Sequence, residues 1–303
     1  MSEYWPVVKV DPAWAVDREP MGTKDKFWYQ EPERDDSFWL FKFPRENTGE
    51  HWAEKMAAEV AGLLEIPHAR VELAEVELGR DVVYAQRGSV SESFLAAGSR
   101  LIHGNEILAI ALPGYDRDMR FGQSQHTLSN ILSVLGQLNE MGLLEEVALT
   151  EICKYLVLDP IIGNTDRHHE NWGLKFVDTP GELSLTVAPS FDHATSLGRE
   201  LSDERRERIL SEGGLSNYWR RGRGGVYWSE GDRYGPSPLQ LVRLAYREHQ
   251  ELFHPILTRL TSVDPEDFAG IVERVPAGWM SSEARRFATE FLCYNHRELV
   301  ELN

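Results

Sequence analysis

Two short segments of this 303-residue chain carry side chains able to do chemistry: GNTDRHHENWG over Gly163–Gly173 and PSFDHATS over Pro189–Ser196. Phosphoryl transfer needs few protein groups but needs them placed: a carboxylate that orients an attacking hydroxyl and takes its proton, and oxygen ligands that hold Mg²⁺ on the phosphates. Asp166 suits the first role, and Asn171 and Asp192 the second. Each residue alone would equally suit an Asx turn or a helix cap. The three in this order favour one metal-assisted site. A hydrolytic zinc site is the competing chemistry, because Asp166, His168, His169 and His193 crowd the same region. It is disfavoured by the ligand pattern: adjacent histidines point two ways, HExxH is absent, and neither cysteine is near. His168 is expected to shape the loop by hydrogen bonding and to border the site, with His169 solvated.

The five positions between Asp166 and Asn171 equal the distance from base to metal-binding Asn in the catalytic loop of protein kinases. Asp192 follows a predicted strand pair, where the second metal-binding Asp of a kinase stands. Such a site also needs a lysine for the α- and β-phosphates. Lys42 in FWLFKFP is the candidate, because it is the only charge in an apolar run and must find an anion or snorkel out. Glu54 on the helix that follows borders its apolar face and could pair with Lys42, with Glu50 and Glu59 as rivals. A phosphate-covering turn is expected at GTKDK, through Gly22, Thr23 and Lys26, although its single glycine makes it a weak motif. Arg167 could steady the loop or the transferred phosphate.

The elements that must position these residues fall in two parts. Residues 26–30, 38–43, 69–76 and 81–86 read as strands, with a helix over 50–64 carrying Ala53, Met56, Ala57, Val60 and Leu64 on one face and stopped by Pro67. Beyond about residue 100, helical patterns cover 105–111, 127–139, 145–162, 239–246, 251–260 and 282–299, interrupted by strands at 172–177 and 183–187. The expected fold is α+β and bilobal: a strand-rich N-lobe over 1–94 and a larger helical C-lobe over 95–303.

Composition limits the partners. With 32 basic and 49 acidic side chains the formal charge is −17, which repels nucleic-acid backbones and anionic lipid. Only SNYWRRGRGGV (Ser216–Val226) is locally basic, and it reads either as a solvated loop or as a docking segment for an acidic substrate. No run approaches the length of a membrane span, and the start lacks the pattern of a secretion signal. Two cysteines far apart imply no disulfide framework, so a cytoplasmic location is expected.

Five segments in order resemble the HipA-like serine/threonine kinases: GTKDKFWY, FWLFKFP, GSVSESFL, GNTDRHHENWG and PSFDHATS. The resemblance implies the protein-kinase-like fold, Mg²⁺ and ATP as cosubstrate, Asp166 as base, Asn171 and Asp192 as metal ligands, Lys42 as the phosphate lysine and a phosphate loop through Gly22 and Lys26. It places a hinge at Glu92 and Phe94, whose backbone would meet adenine. It also implies a protein hydroxyl as acceptor and Thr23 as a candidate for silencing autophosphorylation. The chain is shorter than the best-known toxin-type members and is expected to lack their extra N-terminal subdomain, so a partner antitoxin is not carried over, and an antitoxin or other regulatory partner stays open. Asp-Arg-His-x-x-Asn is also similar to the loop of phosphoinositide kinases, which keeps a lipid acceptor as an alternative. A nucleotide-binding module without turnover is the third.

Overall fold

The computed structural model describes residues 3–18, 25–32, 37–78, 84–179 and 182–302. The expected phosphate turn at Gly22 and Thr23 lies outside them, as do residues 81–83 at the start of the strand expected over 81–86. Among the described residues the N-terminal part builds one six-stranded sheet from β1 (Val7–Val10), β2 (Ala15–Arg18), β3 (Lys26–Tyr29), β4 (Trp39–Lys42), β5 (Val71–Leu78) and β6 (Tyr84–Glu92), ordered β1-β5-β6-β4-β3-β2. The β1–β5 pairing is parallel and the others are antiparallel. β1 and β2 were not foreseen from the sequence, being four-residue strands with little apolar alternation.

Alternation along β3 and β4 decides which residues face the site. Phe27, Tyr29, Trp39 and Phe41 join Val10, Ala74, Val76 and Val90 in an apolar layer on one side, with the Phe27 and Phe41 rings stacked at 5.2 Å. Side chains two apart share a face, so the intervening Lys26, Trp28, Leu40 and Lys42 line a cleft on the other. Helix α1 (Glu50–Leu63) crosses the sheet, packs on β5 and β6, and touches helices of the C-terminal part as well. That double burial explains why Glu50, Glu54 and Lys55 are inside along with the predicted apolar stripe.

The C-terminal part centres on α4 (Val147–Ile162), surrounded by α2 (Gly104–Ala111), α3 (Leu128–Glu140), α5 (Asp203–Ser211), α6 (Leu215–Arg221), α7 (Pro238–Glu248), α8 (Gln250–Thr261), α9 (Pro265–Glu273) and α10 (Ser282–Val300). α4 is apolar nearly all round because it is enclosed by α7, α8 and α10. β8 (Gly173–Thr179) and β9 (Glu182–Val187) pair as predicted, and β7 (Ser99–His103) adds a third strand to β8. The basic segment read as a loop starts instead as a helix: α6 ends at Arg221, after which Gly222–Gly225 run irregularly. Its signal was missed because seven residues give barely two helical turns.

α4 ends at Gly163, whose φ of +72° only glycine adopts without strain, and whose Cβ, if present, would sit 2.4 Å from the Phe291 ring. Gly163→Ala should therefore lower the unfolding free energy by about 1–3 kcal/mol, measured by urea titration.

Candidate active site

On the N-terminal side, the β3–β4 register sets Lys26 directly opposite Lys42 on the cleft face. Like charges at such a position repel, so the arrangement calls for anions. Two are present. Lys42 Nζ lies 3.2 Å from Asp192 Oδ1 and 3.7 Å from Glu54 Oε2. Burial alone would lower the Lys42 ammonium, but the Asp192 and Glu54 carboxylates outweigh it and hold the pKa above the ordinary lysine value. The other two glutamates of α1 are engaged elsewhere. Glu50 pairs with Arg45 at 2.9 Å and Arg199 at 2.7 Å, and Glu59 with Lys55 at 2.6 Å and Arg274 at 3.7 Å. Lys42 is 13 % exposed, so it is held by its partners rather than snorkelling into solvent.

The loop bearing Asp166 and Asn171 is fixed to the end of α4 by buried polar groups. Arg167 donates to both oxygens of Asp159, at 3.0 and 2.7 Å, and its third bond goes to the Asn171 carbonyl at 2.8 Å. Asn164 adds a side-chain bond to Asp159 at 2.8 Å. Arg167 thus steadies the loop, and being 4 % exposed with its donors so used it is not a phosphate contact. The Asn171 amide donates to the Asp166 carbonyl at 2.7 Å, which leaves its Oδ1 as the oxygen able to ligate a cation.

Histidines complete the loop as neutral groups. Burial first, and then the nearby Arg120 cation, push His168 down to about 3. Its Nε2 must accept from Arg120, at 2.8 and 3.1 Å, because a guanidinium only donates. On the other side of the ring, Nδ1 faces the Glu170 backbone N–H at 3.2 Å and lies 3.8 Å from Glu170 Oε2. His169 is not solvated: it is 1 % exposed and its Nδ1 meets Tyr115 Oη at 2.7 Å. His126, likewise lowered to about 3 by burial, accepts from Trp172 Nε1 at 3.0 Å and donates to the Gly225 carbonyl at 2.7 Å.

Asp192 is placed by a crossing between the two parts of the molecule. Ser190 bonds through its backbone to Pro67 and Ala69, at 2.9 Å each, and its hydroxyl meets His193 Nε2 at 2.6 Å. The His193 N–H donates to Glu54 Oε1 at 2.8 Å. Between them Asp192 has φ +58°, a left-handed conformation that costs a non-glycine residue about 1 kcal/mol. The strained residue is the one whose carboxylate meets Lys42.

Two adjoining clefts result. The first, about 200 Å³, is lined by Lys26, Trp28, Leu40, Lys42, Ser91–Leu95, Leu101, Phe191, Asn171 and Asp192, with Phe94 and Phe191 rings 5.8 Å apart. The second, about 490 Å³, contains Asp166. Asp166 and the pair Asn171–Asp192 therefore face neighbouring clefts rather than one. Arg120 and His168 border both, so their hydrogen bond forms the partition. Sequence reasoning missed Arg120, in the patternless DRDMRFG stretch, and Asp159, the one carboxylate inside the apolar run YLVLDPII, where a buried ion pair could have been suspected.

A strand-rich lobe over a helical lobe, with a lysine, an acidic loop and a distal aspartate bordering the cleft between them, is the layout of a protein-kinase-like fold. The family model of the HipA-like C-terminal domain matches residues 19–217, well over half of the chain, and the chain belongs to that family. Among solved structures it is similar to the Helicobacter pylori proinflammatory kinase CtkA, with TM-score 0.73 at 17% identity, covering 98% of this chain and 96% of that one. It is also similar to HipA of Shewanella oneidensis MR-1, solved with HipB and operator DNA, with TM-score 0.52 at 13% identity, covering 99% and 67%. At these identities the likeness carries the fold. No curated protein matches the chain in sequence.

Asp159→Asn should cost about 3 kcal/mol of stability in urea unfolding, because it leaves the Arg167 charge buried without its partner. The histidines set an acid limit. His126 and His168 at about 3 and His51 at about 4 stay neutral in the folded protein, whereas the unfolded chain takes up protons from about pH 6.5. Unfolded protein then binds more protons, so stability should fall from about pH 6.5 toward pH 4, by up to ~1.4 kcal/mol per pH unit for each such histidine. Thermal unfolding across that range would check it.

Proposed function

We propose that the protein is an ATP- and Mg²⁺-dependent kinase that transfers a phosphoryl group to a serine or threonine hydroxyl of a protein. The observation that carries this is the charge layout around Lys42: two lysines opposed across β3 and β4, met by Glu54 and Asp192, at one end of an apolar slot. Such a slot fits a ligand that is flat and apolar at one end and polyanionic at the other. Trp28, Leu40, Phe94, Leu101 and Phe191 suit a base, and Lys26 and Lys42 suit phosphates. The Glu92 N–H already donates to the Arg70 carbonyl at 3.0 Å, so its carbonyl, with the backbone of Phe94, is the part suited to adenine.

The donor set also fits Mg²⁺, which takes only one or two protein oxygens and completes its shell with phosphates and water. Asn171 and Asp192 would hold it, where it would neutralise charge on the phosphates. Among the described residues no cluster of three or more histidine, cysteine or carboxylate side chains forms a metal cage. Lys42 holds Asp192 in its strained conformation, and Asn171 anchors the Asp166 backbone. Asp166 orients the incoming hydroxyl and accepts its proton as the new oxygen–phosphorus bond forms and the bond to the departing diphosphate breaks. Arg120, on the partition, is placed to meet charge passing from one cleft to the other.

Asp166→Asn should retain nucleotide affinity within about twofold while transfer falls by about 10²–10⁴, since positioning survives and the carboxylate does not. Nucleotide titration and radiolabel transfer from ATP to protein extracts check the two halves. Equal transfer by both proteins would remove Asp166 from the chemistry, and preferential labelling of phosphoinositide vesicles would move the acceptor from protein to lipid.

A further inference from the structure

The cleft containing Asp166 has an electrostatic character opposite to that of the molecule. On a chain of net charge −17, its wall carries Arg45, Arg120, Arg199 and Arg223, and Asp166 is its one carboxylate. Its histidines add no positive charge, since His126 and His168 are held neutral by burial. Arg45 and Arg199 both meet Glu50 Oε1, at 2.9 and 2.7 Å, which places their guanidiniums side by side on the wall. Arg223 has no carboxylate partner among the described residues and lies over the Tyr234 ring at 5.7 Å. The cleft continues past Thr165, Thr195 and Arg199 into another of about 530 Å³, where Arg205, Arg208 and Arg221 stand exposed with Glu200 and Glu212.

Arginines gathered in a concave surface repel one another and raise the local concentration of anions. Here that effect is confined to a groove leading away from Asp166. We propose, building on the kinase reading above, that this groove selects a polypeptide acceptor with aspartate or glutamate residues flanking the hydroxyl. Arg45, Arg199 and Arg223 read the carboxylates nearest the hydroxyl, and Arg208 and Arg221 read those further along. Two features favour a peptide over an extended polyanion or an anionic membrane. The remaining surface is strongly acidic and repels both, whereas a short segment can lie within the groove alone. The rim also presents exposed aromatics, Phe121 and Tyr234, with Arg120 and Arg223 over them, the combination on which peptide interfaces concentrate their binding energy.

The test uses the full chain and synthetic peptides sharing one serine but flanked by acidic, neutral or basic residues. Peptide binding is read by fluorescence anisotropy without nucleotide, and transfer is read separately with Mg·ATP. The acidic peptide should bind about tenfold or more tighter than the neutral one at low salt, and the advantage should shrink as ionic strength rises. Arg223→Glu should abolish most of that preference. Arg208→Glu, exposed on α5 and remote from the loop, should reduce it independently. Equal binding of acidic and neutral peptides, or an unaltered preference in both variants, would overturn the proposal. Charge-dependent binding without transfer to any peptide would leave the basic groove standing and defeat the kinase reading instead.

Discussion

The site depends on one buried ion pair, Asp159 with Arg167. Arg167 reaches from the loop back into the end of α4, holds both oxygens of Asp159, and passes its third hydrogen bond to the Asn171 carbonyl. Asp166 and Asn171 lie on either side of this arginine, so their spacing follows from it. A buried pair of this kind adds little net stability compared with a packed apolar pair, but it tolerates only one geometry. Precision rather than energy is what it contributes. The helix that carries Asp159 is in turn the most enclosed element of the fold, so the core imposes the register of the loop.

A second constraint acts across the cleft. Glu54, on a helix shared by both parts of the molecule, receives the His193 N–H at one oxygen and faces Lys42 with the other. Lys42, Glu54 and the segment bearing Asp192 therefore form one network that couples sheet, helix and distal loop. The strain at Asp192 is sustained by it, and a single displaced member would release the others. Charge is distributed unevenly too: a strongly acidic chain gathers lysines and arginines on the walls of its two adjoining clefts.

Much of this was legible in the sequence because the functional groups lie on, or next to, elements with strong periodicity. Lys42 stood out as a charge in an aromatic strand, α1 and α4 were marked by apolar spacing, and the β8–β9 pair by its turn residues. Pairing of Lys42 with Glu54 rather than Glu50 or Glu59 was not legible, since one helix turn separates the choices and only the tertiary partners of the other two decide. Nor could the sequence reveal that Lys26 faces Lys42, which is a matter of strand register. The loop reading of 216–226 failed for the opposite reason: a helix of two turns is stabilised by Trp219 packing into the core, a contact local propensity does not report. His169 was misplaced because a histidine satisfied by a distant tyrosine looks, in sequence, like any polar loop residue.

Gly225 joins the basic segment to the loop bearing Asp166 more tightly than its position in the chain suggests. A Cβ there would sit 2.8 Å from the backbone of Arg167 and His168, and its carbonyl is already held by His126. With no room for a methyl group between them, the two segments behave as a single mechanical unit. Under the proposed function, the arginines beside this glycine can change with the acceptor while the glycine stays fixed by its packing, so selectivity is separable from transfer.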